Sequence, residues 1–315
     1  MDGEPEKTEK INIEETLIKA LSRKDDVHKG DCGKILIVAG SFSMTGAALL
    51  CAEAALRTGA GLVYISAPRS IIPVLQSSLR EAVYYPVGES SDEYFKPEHL
   101  KAVIEKAKEC DVTVIGPGIG REDKTVDFCK KFLISFAAIQ AEDVKEGKRA
   151  KGLLTDADGL YALSEMSREE LEKFSGFAVP ERTVITPHAG EAARLLKADI
   201  KTVTADRMAA AEVLSKKYSA TCLVKGKNTC LFARKEKKHI NTTGNSGMAT
   251  AGSGDVLAGI IATLLSRLDS FEAACAGAFL HGLAGDTCKE KFGRSYFTAG
   301  DMVKYLYIPL RSFEE

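Results

Sequence analysis

The sequence predicts a doubly wound α/β domain built on a mainly parallel sheet with helices on both faces. Three observations predict it. Strand-like and helix-like runs alternate along most of the 315 residues. The strand-like runs are short, continuous and β-branched, as expected of strands covered on both faces. The runs between them carry helical spacing of apolar residues, the βαβ pattern of a parallel sheet. On this reading residues 1–24 form an N-terminal arm and short helix, and residues 25–315 form a single domain.

Taken in order, residues 1–10 are polar and read as a frayed arm, and INIEETLIKAL (11–21) as a short helix. The predicted strands are KILIVAG (34–40), LVYIS (62–66), VTVIG (112–116), GLLTD (152–156), TVITP (183–187) and TCLVKG (221–226). Thr45–Thr58 is Ala/Leu-rich and stops at Gly59, a suitable helix C-terminus. Residues 97–108, 159–174, 189–197, 204–218 and 271–289 also carry helical spacing. Val256, Leu257, Ile260, Ile261, Leu264, Leu265 and Leu268 form an apolar stripe with i, i+4 spacing. TCLFAR and KHINTTG flank the basic KEKK and predict a hairpin. AEDVKEGKRAK (141–151) is charged and reads as an exposed loop.

Composition narrows the function classes. Hydrophobic residues make up 45% and charged residues 28%, with a formal net charge of −1. That balance gives no reason to expect a nucleic-acid or membrane partner. The N-terminus lacks the basic and apolar regions of a secretory signal. The longest apolar stretch, near 256–265, has about ten residues, too few to span a bilayer. Eight cysteines are scattered without a CxxC pair. They read as buried reduced thiols in a cytoplasmic protein rather than as disulfides or a zinc site.

In doubly wound sheets, ligands bind outside the carboxyl ends of the strands, and the chemically suggestive segments fall there. GPGIG (116–120) fails the GxGxxG spacing of dinucleotide loops, and Pro117 removes a donor. It reads either as a tight turn or as a ligand wall. TPHAGE (186–191) offers His188, structural or ligand-facing, and Glu191. The glutamate reads either as a first-turn residue favoured by the helix dipole or as a ligand of hydrated Mg²⁺. KGKNT (225–229) places Lys225 and Lys227 where phosphates can be met, but it is not a Walker A loop. TDADG (155–159) has two carboxylates that share a side if the backbone is extended; Asp158 reads equally as a helix cap. The strongest segment is GNSGMATAGSGDVLAGI (244–260), with five glycines in 17 residues. Free N–H groups of residues 252–255 at a helix start make an anion site. Asp255 stands beside it. A cap accounts for the aspartate but not for the glycines, so a flexible ligand loop is preferred.

Together with HKGDCGKILIVAGS (28–41), these segments resemble the ADP-dependent (S)-NAD(P)H-hydrate dehydratases of the ribokinase-like superfamily. The resemblance runs from about residue 25 to 305. It implies a ribokinase-like fold and repair of damaged nicotinamide cofactor. The S form of NADH hydrate or NADPH hydrate loses water, coupled to cleavage of ADP to AMP and phosphate. The ring hydroxyl is phosphorylated and phosphate is then eliminated. His188 and the glycine-rich loop favour ADP over ATP. The resemblance also implies Asp255 as catalytic base. Ala47, Gly118 or Gly120, His188 and Asp255 fall on the substrate side, and Lys225, Gly226, Lys227, Asn228, Thr229, Gly252 and Gly254 on the nucleotide side. Mg²⁺ is the expected cofactor, with Glu191 a candidate ligand. A homotetramer and a separate NAD(P)H-hydrate epimerase are the expected partners. Ala189 and Gly159 stand where many relatives carry Pro and Ala. The competing expectation is a small-molecule kinase of the same superfamily acting on a thiazole or pyrimidine alcohol, and a third is a non-catalytic nucleotide-binding regulatory module.

Overall fold

The computed structural model describes residues 11–23 and 25–314; the arm expected at residues 1–10 lies outside them. Among the described residues nine strands form one sheet: β1 Lys34–Val38, β2 Leu62–Pro68, β3 Val83–Val87, β4 Val112–Ile115, β5 Gly152–Thr155, β6 Thr183–Ile185, β7 Thr221–Val224, β8 Thr229–Ala233 and β9 Lys237–Asn241. Their order is β3-β2-β1-β4-β5-β6-β7-β8-β9. The β1–β7 pairings are parallel, and the β8 and β9 pairings are antiparallel. Val38 pairs with Ile115, Ile115 with Thr155, Thr155 with Ile185 and Ile185 with Cys222. This register lines up the carboxyl ends of β1, β4, β5, β6 and β7 at one edge.

The helices are α1 Ile13–Leu21, α2 Thr45–Arg57, α3 Ile72–Ser78, α4 Leu100–Lys108, α5 Asp123–Lys145, α6 Asp158–Ser164 and α7 Arg168–Phe177. They continue with α8 Ala189–Leu196, α9 Ile200–Ala205, α10 Arg207–Tyr218, α11 Ser253–Leu265, α12 Ser270–Phe292, α13 Ala299–Tyr305 and α14 Tyr307–Leu310. One apolar layer packs α2, α11 and α12 against the sheet, and Leu17 of α1 is buried in it. A second layer packs α4–α8 and α10 against the opposite face. The α/β fold with helices on both faces is therefore as expected. Within α11, Val256 to Leu265 are all buried, each large aliphatic worth about 1.5–3 kcal/mol. Gly259 allows this: a Cβ there would lie 2.2 Å from the Cys51 carbonyl of α2.

Several boundaries differ from expectation for local reasons. The helix expected over 159–174 is two helices, because Ser167 starts a new one. Its hydroxyl accepts from Glu170 N, and Glu170 accepts from Ser167 N, a capping box. The helix expected over 204–218 begins only at Arg207, because Asp206 starts it by accepting from Ala209 N at 2.9 Å, and residues 204–205 end the separate helix α9. Residues 141–145, expected in a loop, are the last turn of α5. Phe128, Phe132 and Phe136 bury one stripe of that helix, and buried Gln140 ties it to the Lys151 carbonyl. The edge strand β3, with Pro86 inside it, was not expected; its residues are mostly half-exposed and carry no clean alternation. At the hairpin, residues 234–236 separate the paired Ala233 and Lys237, and Lys235 and Glu236 both have positive φ.

Candidate active site

Chain winding reverses at β1, which pairs with β2 on one side and β4 on the other. Such a reversal opens a crevice at the carboxyl edge. The loops after β1 and β4 meet there: Gly40 N donates to the Pro117 carbonyl at 2.9 Å and Ser41 Oγ to the Gly118 carbonyl at 2.9 Å. Gly116, Gly118 and Gly120 all have positive φ. A Cβ on Gly118 would lie 2.8 Å from the Ala47 side chain at the start of α2, so these two predicted residues touch. Gly120 N donates to Asp158 at 3.1 Å. Asp158 therefore does not cap its own helix, and the backbone between Asp156 and Asp158 is not extended. Ala157, with φ 49°, holds the N-terminal position of α6, and Asp158 also takes Arg121 Nε at 2.6 Å.

Beyond β5, β6 and β7 the ionisable groups converge. Lys225 Nζ donates to Asp156 Oδ1 at 2.7 Å and stands 3.8 Å from Glu191 Oε2. A backbone bond from Lys225 N to the Pro187 carbonyl holds the two loops together. His188 starts α8: its Nδ1 accepts from Gly190 N and Glu191 N, while Glu191 Oε2 accepts from His188 N at 2.7 Å. Glu191 thus completes a capping box. Burial works against the Lys225 charge, but Asp156 and Glu191, with Asp255 further off, outweigh it and raise its pKa. Burial and the Asp156 charge push Glu191 up against the pull of Lys225. Burial first, then Lys225, lower His188, leaving a neutral ring.

Asp255 lies in the first turn of α11 but does not cap it; Gly252, with φ 87°, is the N-terminal residue. Among the described residues its carboxylate has no hydrogen-bond partner. Burial and the charges of Asp156 and Asp158 push it up to about 7, opposed by Lys225. A carboxyl near neutrality is matched to general-base work. Ser253 N donates to the Thr250 carbonyl at 3.3 Å, so of residues 252–255 only Gly252, Gly254 and Asp255 keep backbone N–H groups without an acceptor among the described residues. A Cβ on Gly254 would sit 3.4 Å from Lys225 Nζ and 3.5 Å from Asp156. Gly254 therefore faces the ionisable cluster, and protein packing alone does not demand a glycine there. Gly252 differs: a Cβ would strike Leu50 at 2.4 Å.

The glycine-rich loop, expected to be flexible, is tied to α12. Gly244 N and Asn245 Nδ2 both donate to Asp286, each at 2.9 Å. Thr243 Oγ1 donates to the Phe279 carbonyl, and buried His281 Nε2 lies 3.2 Å from Ser253 Oγ. The KGKNT loop turns away after Lys225. Gly226 and Thr229 bond each other, Asn228 has φ 57°, and the Lys227 carbonyl accepts from Arg207. A separate cleft of about 470 Å³, between Ser175, Pro180, Ser219 and Arg234, contains none of the predicted residues.

The sequence model described as NAD(P)H-hydrate dehydratase matches residues 35–307. The chain belongs to the NAD(P)H-hydrate dehydratase family. It is 34% identical over 273 residues to the ADP-dependent (S)-NAD(P)H-hydrate dehydratase of Neisseria meningitidis, covering 86% of this chain and 82% of that one. It is 38% identical over 294 residues to the bifunctional NAD(P)H-hydrate repair enzyme Nnr of Thermofilum pendens, covering 93% of this chain and 52% of that protein. The chain thus spans about half the length of such bifunctional relatives. The crystal structure of the ADP/ATP-dependent NAD(P)H-hydrate dehydratase from Bacillus subtilis, co-crystallised with ATP/Mg²⁺, superposes with a TM-score of 0.75 over 96% of this chain and 97% of that chain. At 24% identity it shows a shared α/β fold.

Sequence reasoning missed three members of this site, Arg121, His281 and Asp286, and it named Lys225 and Asp156 without their pairing. Arg121 follows GPGIG directly, yet nothing in its neighbours announces an ion pair with Asp158. The Lys225–Asp156 pair spans 69 positions, and His281 and Asp286 sit in a helix that reads as ordinary. Adjacency to an already suspected loop is a signal only for Arg121. Among the described residues no group of three or more metal-ligating side chains is assembled. The oxygen donors beside Lys225 are the carboxylates of Asp156 and Glu191, the kind and number of protein ligands that a hydrated Mg²⁺ takes.

Proposed function

We propose that this chain dehydrates the S form of NADH hydrate and NADPH hydrate to the reduced cofactor, driven by cleavage of ADP to AMP and phosphate. The observation that carries it is Asp255: a carboxyl pushed up to about 7 by burial and the neighbouring Asp156 and Asp158, with no hydrogen-bond partner among the described residues, in the first turn of α11. Hydroxide is a poor leaving group and phosphate a better one. Asp255 takes the ring-hydroxyl proton while that oxygen attacks the β-phosphoryl of ADP, and AMP leaves. The N–H groups of Gly254 and Asp255 stabilise charge growing on the transferred group. The ring nitrogen lone pair then expels phosphate, and the neighbouring ring carbon loses a proton to restore the reduced ring. Ala47, Gly118, Gly120 and His188 would wall the hydrate, and Lys225–Thr229 with Gly252 and Gly254 the nucleotide. Asp156 or Glu191 would hold a nucleotide-borne Mg²⁺, which supplies charge neutralisation at the phosphates.

The bifunctional names of longer relatives support a functional pairing with an epimerase that interconverts the R and S hydrates. The eight cysteines are free and buried, which supports a reducing, cytoplasmic setting. No helix among the described residues is long and apolar enough to cross a membrane. The test is turnover of hydrated NADH with ADP or with ATP, read as recovery of reduced-nicotinamide absorbance. Recovery with ADP is expected. No recovery with either nucleotide, or stable phosphorylation of a thiazole or pyrimidine alcohol, would sink the reading.

A further inference from the structure

Two arginines on the rim of the crevice are unaccounted for by the chemistry above. Arg121 lies 4.8 Å from the centre of the Tyr161 ring and Arg194 5.4 Å from it, so one aromatic ring gathers two guanidinium groups. Each cation–π contact is worth about 0.5–1 kcal/mol at an exposed site, but bringing like charges together costs energy. Among the described residues a carboxylate answers only one of them. Asp158 takes Arg121 Nε at 2.6 Å, and Arg194 has no carboxylate partner among the described residues. Both arginines are exposed, and most of their N–H donors face solvent. Lys225, Arg194 and Arg121 all act, after burial, to lower the pKa of His188, so this cationic rim borders that histidine.

Position says which anion belongs there. Arg121 is the residue after Gly120, and the two share Asp158. Arg194 is on the helix that His188 opens. Gly120 and His188 stand on the side assigned to the hydrate, whereas the nucleotide loop Lys227–Thr229 leads towards Arg207. A dinucleotide whose ring reached Asp255 past Gly120 and His188 would bring its phosphates towards this rim. Paired, oriented guanidinium forks suit phosphate oxygens, which they bind with charge-assisted hydrogen bonds.

We infer that Arg121 and Arg194, braced on Tyr161, form the subsite for a phosphate of the dinucleotide substrate. The inference rests on the proposed dehydratase activity. It is tested with Arg194→Gln, which breaks no hydrogen bond of the described residues, and Arg121→Lys, which keeps a cation beside Asp158. Loss of one charge-assisted hydrogen-bonding group raises KM for the hydrate roughly ten-fold, with kcat and the KM for ADP held within about two-fold. The Kd for NADPH, followed by its fluorescence, weakens by a similar factor. An effect on NADPH hydrate alone assigns the 2′-phosphate; equal effects on both hydrates assign the pyrophosphate. Unchanged hydrate KM and NADPH Kd, or a rise confined to ADP, overturns the subsite. If the unaltered protein turns over no hydrate, the dehydratase reading itself fails. If it turns over hydrate and Arg194→Gln matches it, only the subsite fails.

Discussion

A half-buried carboxylate beside two others, with no hydrogen bond to settle it, holds its proton up to about neutral pH. Asp255 is in that position, with a folded-state pKa of about 7 against an ordinary 3.8. Two consequences follow with opposite signs. For catalysis, kcat/KM rises as pH climbs through about 7 and levels above it, because the base must be free of its proton. Asp255→Asn removes that limb and lowers turnover by about 10²–10⁴-fold; unaltered turnover would exclude it as base. For stability, the folded chain binds this proton more tightly than the unfolded chain, so the contribution of Asp255 falls as pH rises from about 4 to about 7. Asp255→Asn should therefore stabilise the fold at pH 8, by about 1–2 kcal/mol once solvent screening is allowed for. Denaturant midpoints at pH 5 and pH 8 check this, with the larger gain at the higher pH. Asp255 was legible in the sequence because glycines surround it and an apolar helix follows. Arg121 and His281 were not, because their partners lie 37 and 28 positions away.

At the scale of elements, α12 does more than fill the core. Its residues 278 to 286 lie along one side of the glycine-rich loop: Ala278 and Phe279 offer carbonyls, His281 meets Ser253, and Asp286 receives two donors. Burial pushes His281 down to about 4, so the ring bonds Ser253 without carrying charge into the site. Asp286→Ala orphans the Gly244 N–H and the Asn245 amide, at a cost of about 1–3 kcal/mol. The KM for ADP should rise roughly ten-fold, since a misplaced loop loses about one good hydrogen bond to phosphate. His281→Leu should act alike, while His281→Gln, which restores a polar atom near Nε2, recovers most of the loss. A fall in melting temperature with KM for ADP unchanged would make α12 a structural support only. The sequence showed a helix over 271–289 but not this duty, because His281 and Asp286 break no periodicity. It mistook 141–145 for loop for a related reason: local charge outweighed the buried Phe128–Phe132–Phe136 stripe, whose meaning depends on the sheet beneath.

The whole molecule assembles its ionisable cluster from segments that are remote in the chain: Asp156 after β5, Glu191 after β6, Lys225 after β7 and Asp255 in α11. Alternating strand and helix patterns were enough to predict a parallel sheet, and so to place each of these at a carboxyl edge. They could not give the order of the strands, and only that order makes β5, β6 and β7 neighbours. Lys225 then faces the carboxylates of Asp156, Glu191 and Asp255, and its removal tests whether the edge is held electrostatically. Asp156 is 1% exposed and its Oδ1 takes the lysine. Lys225→Met leaves a buried charge unpaired, which costs about 3–5 kcal/mol. Adding Asp156→Asn removes that charge, so the double variant should regain most of the loss, whereas independent sites would add their costs. Urea unfolding of the two single variants and the double variant measures the coupling. Additive losses would mean that the lysine stabilises the edge through its packed stem rather than through Asp156. In either case the double variant should stay poor in turnover, because the ammonium that acts on Asp255, and that we propose meets the nucleotide phosphates, is gone.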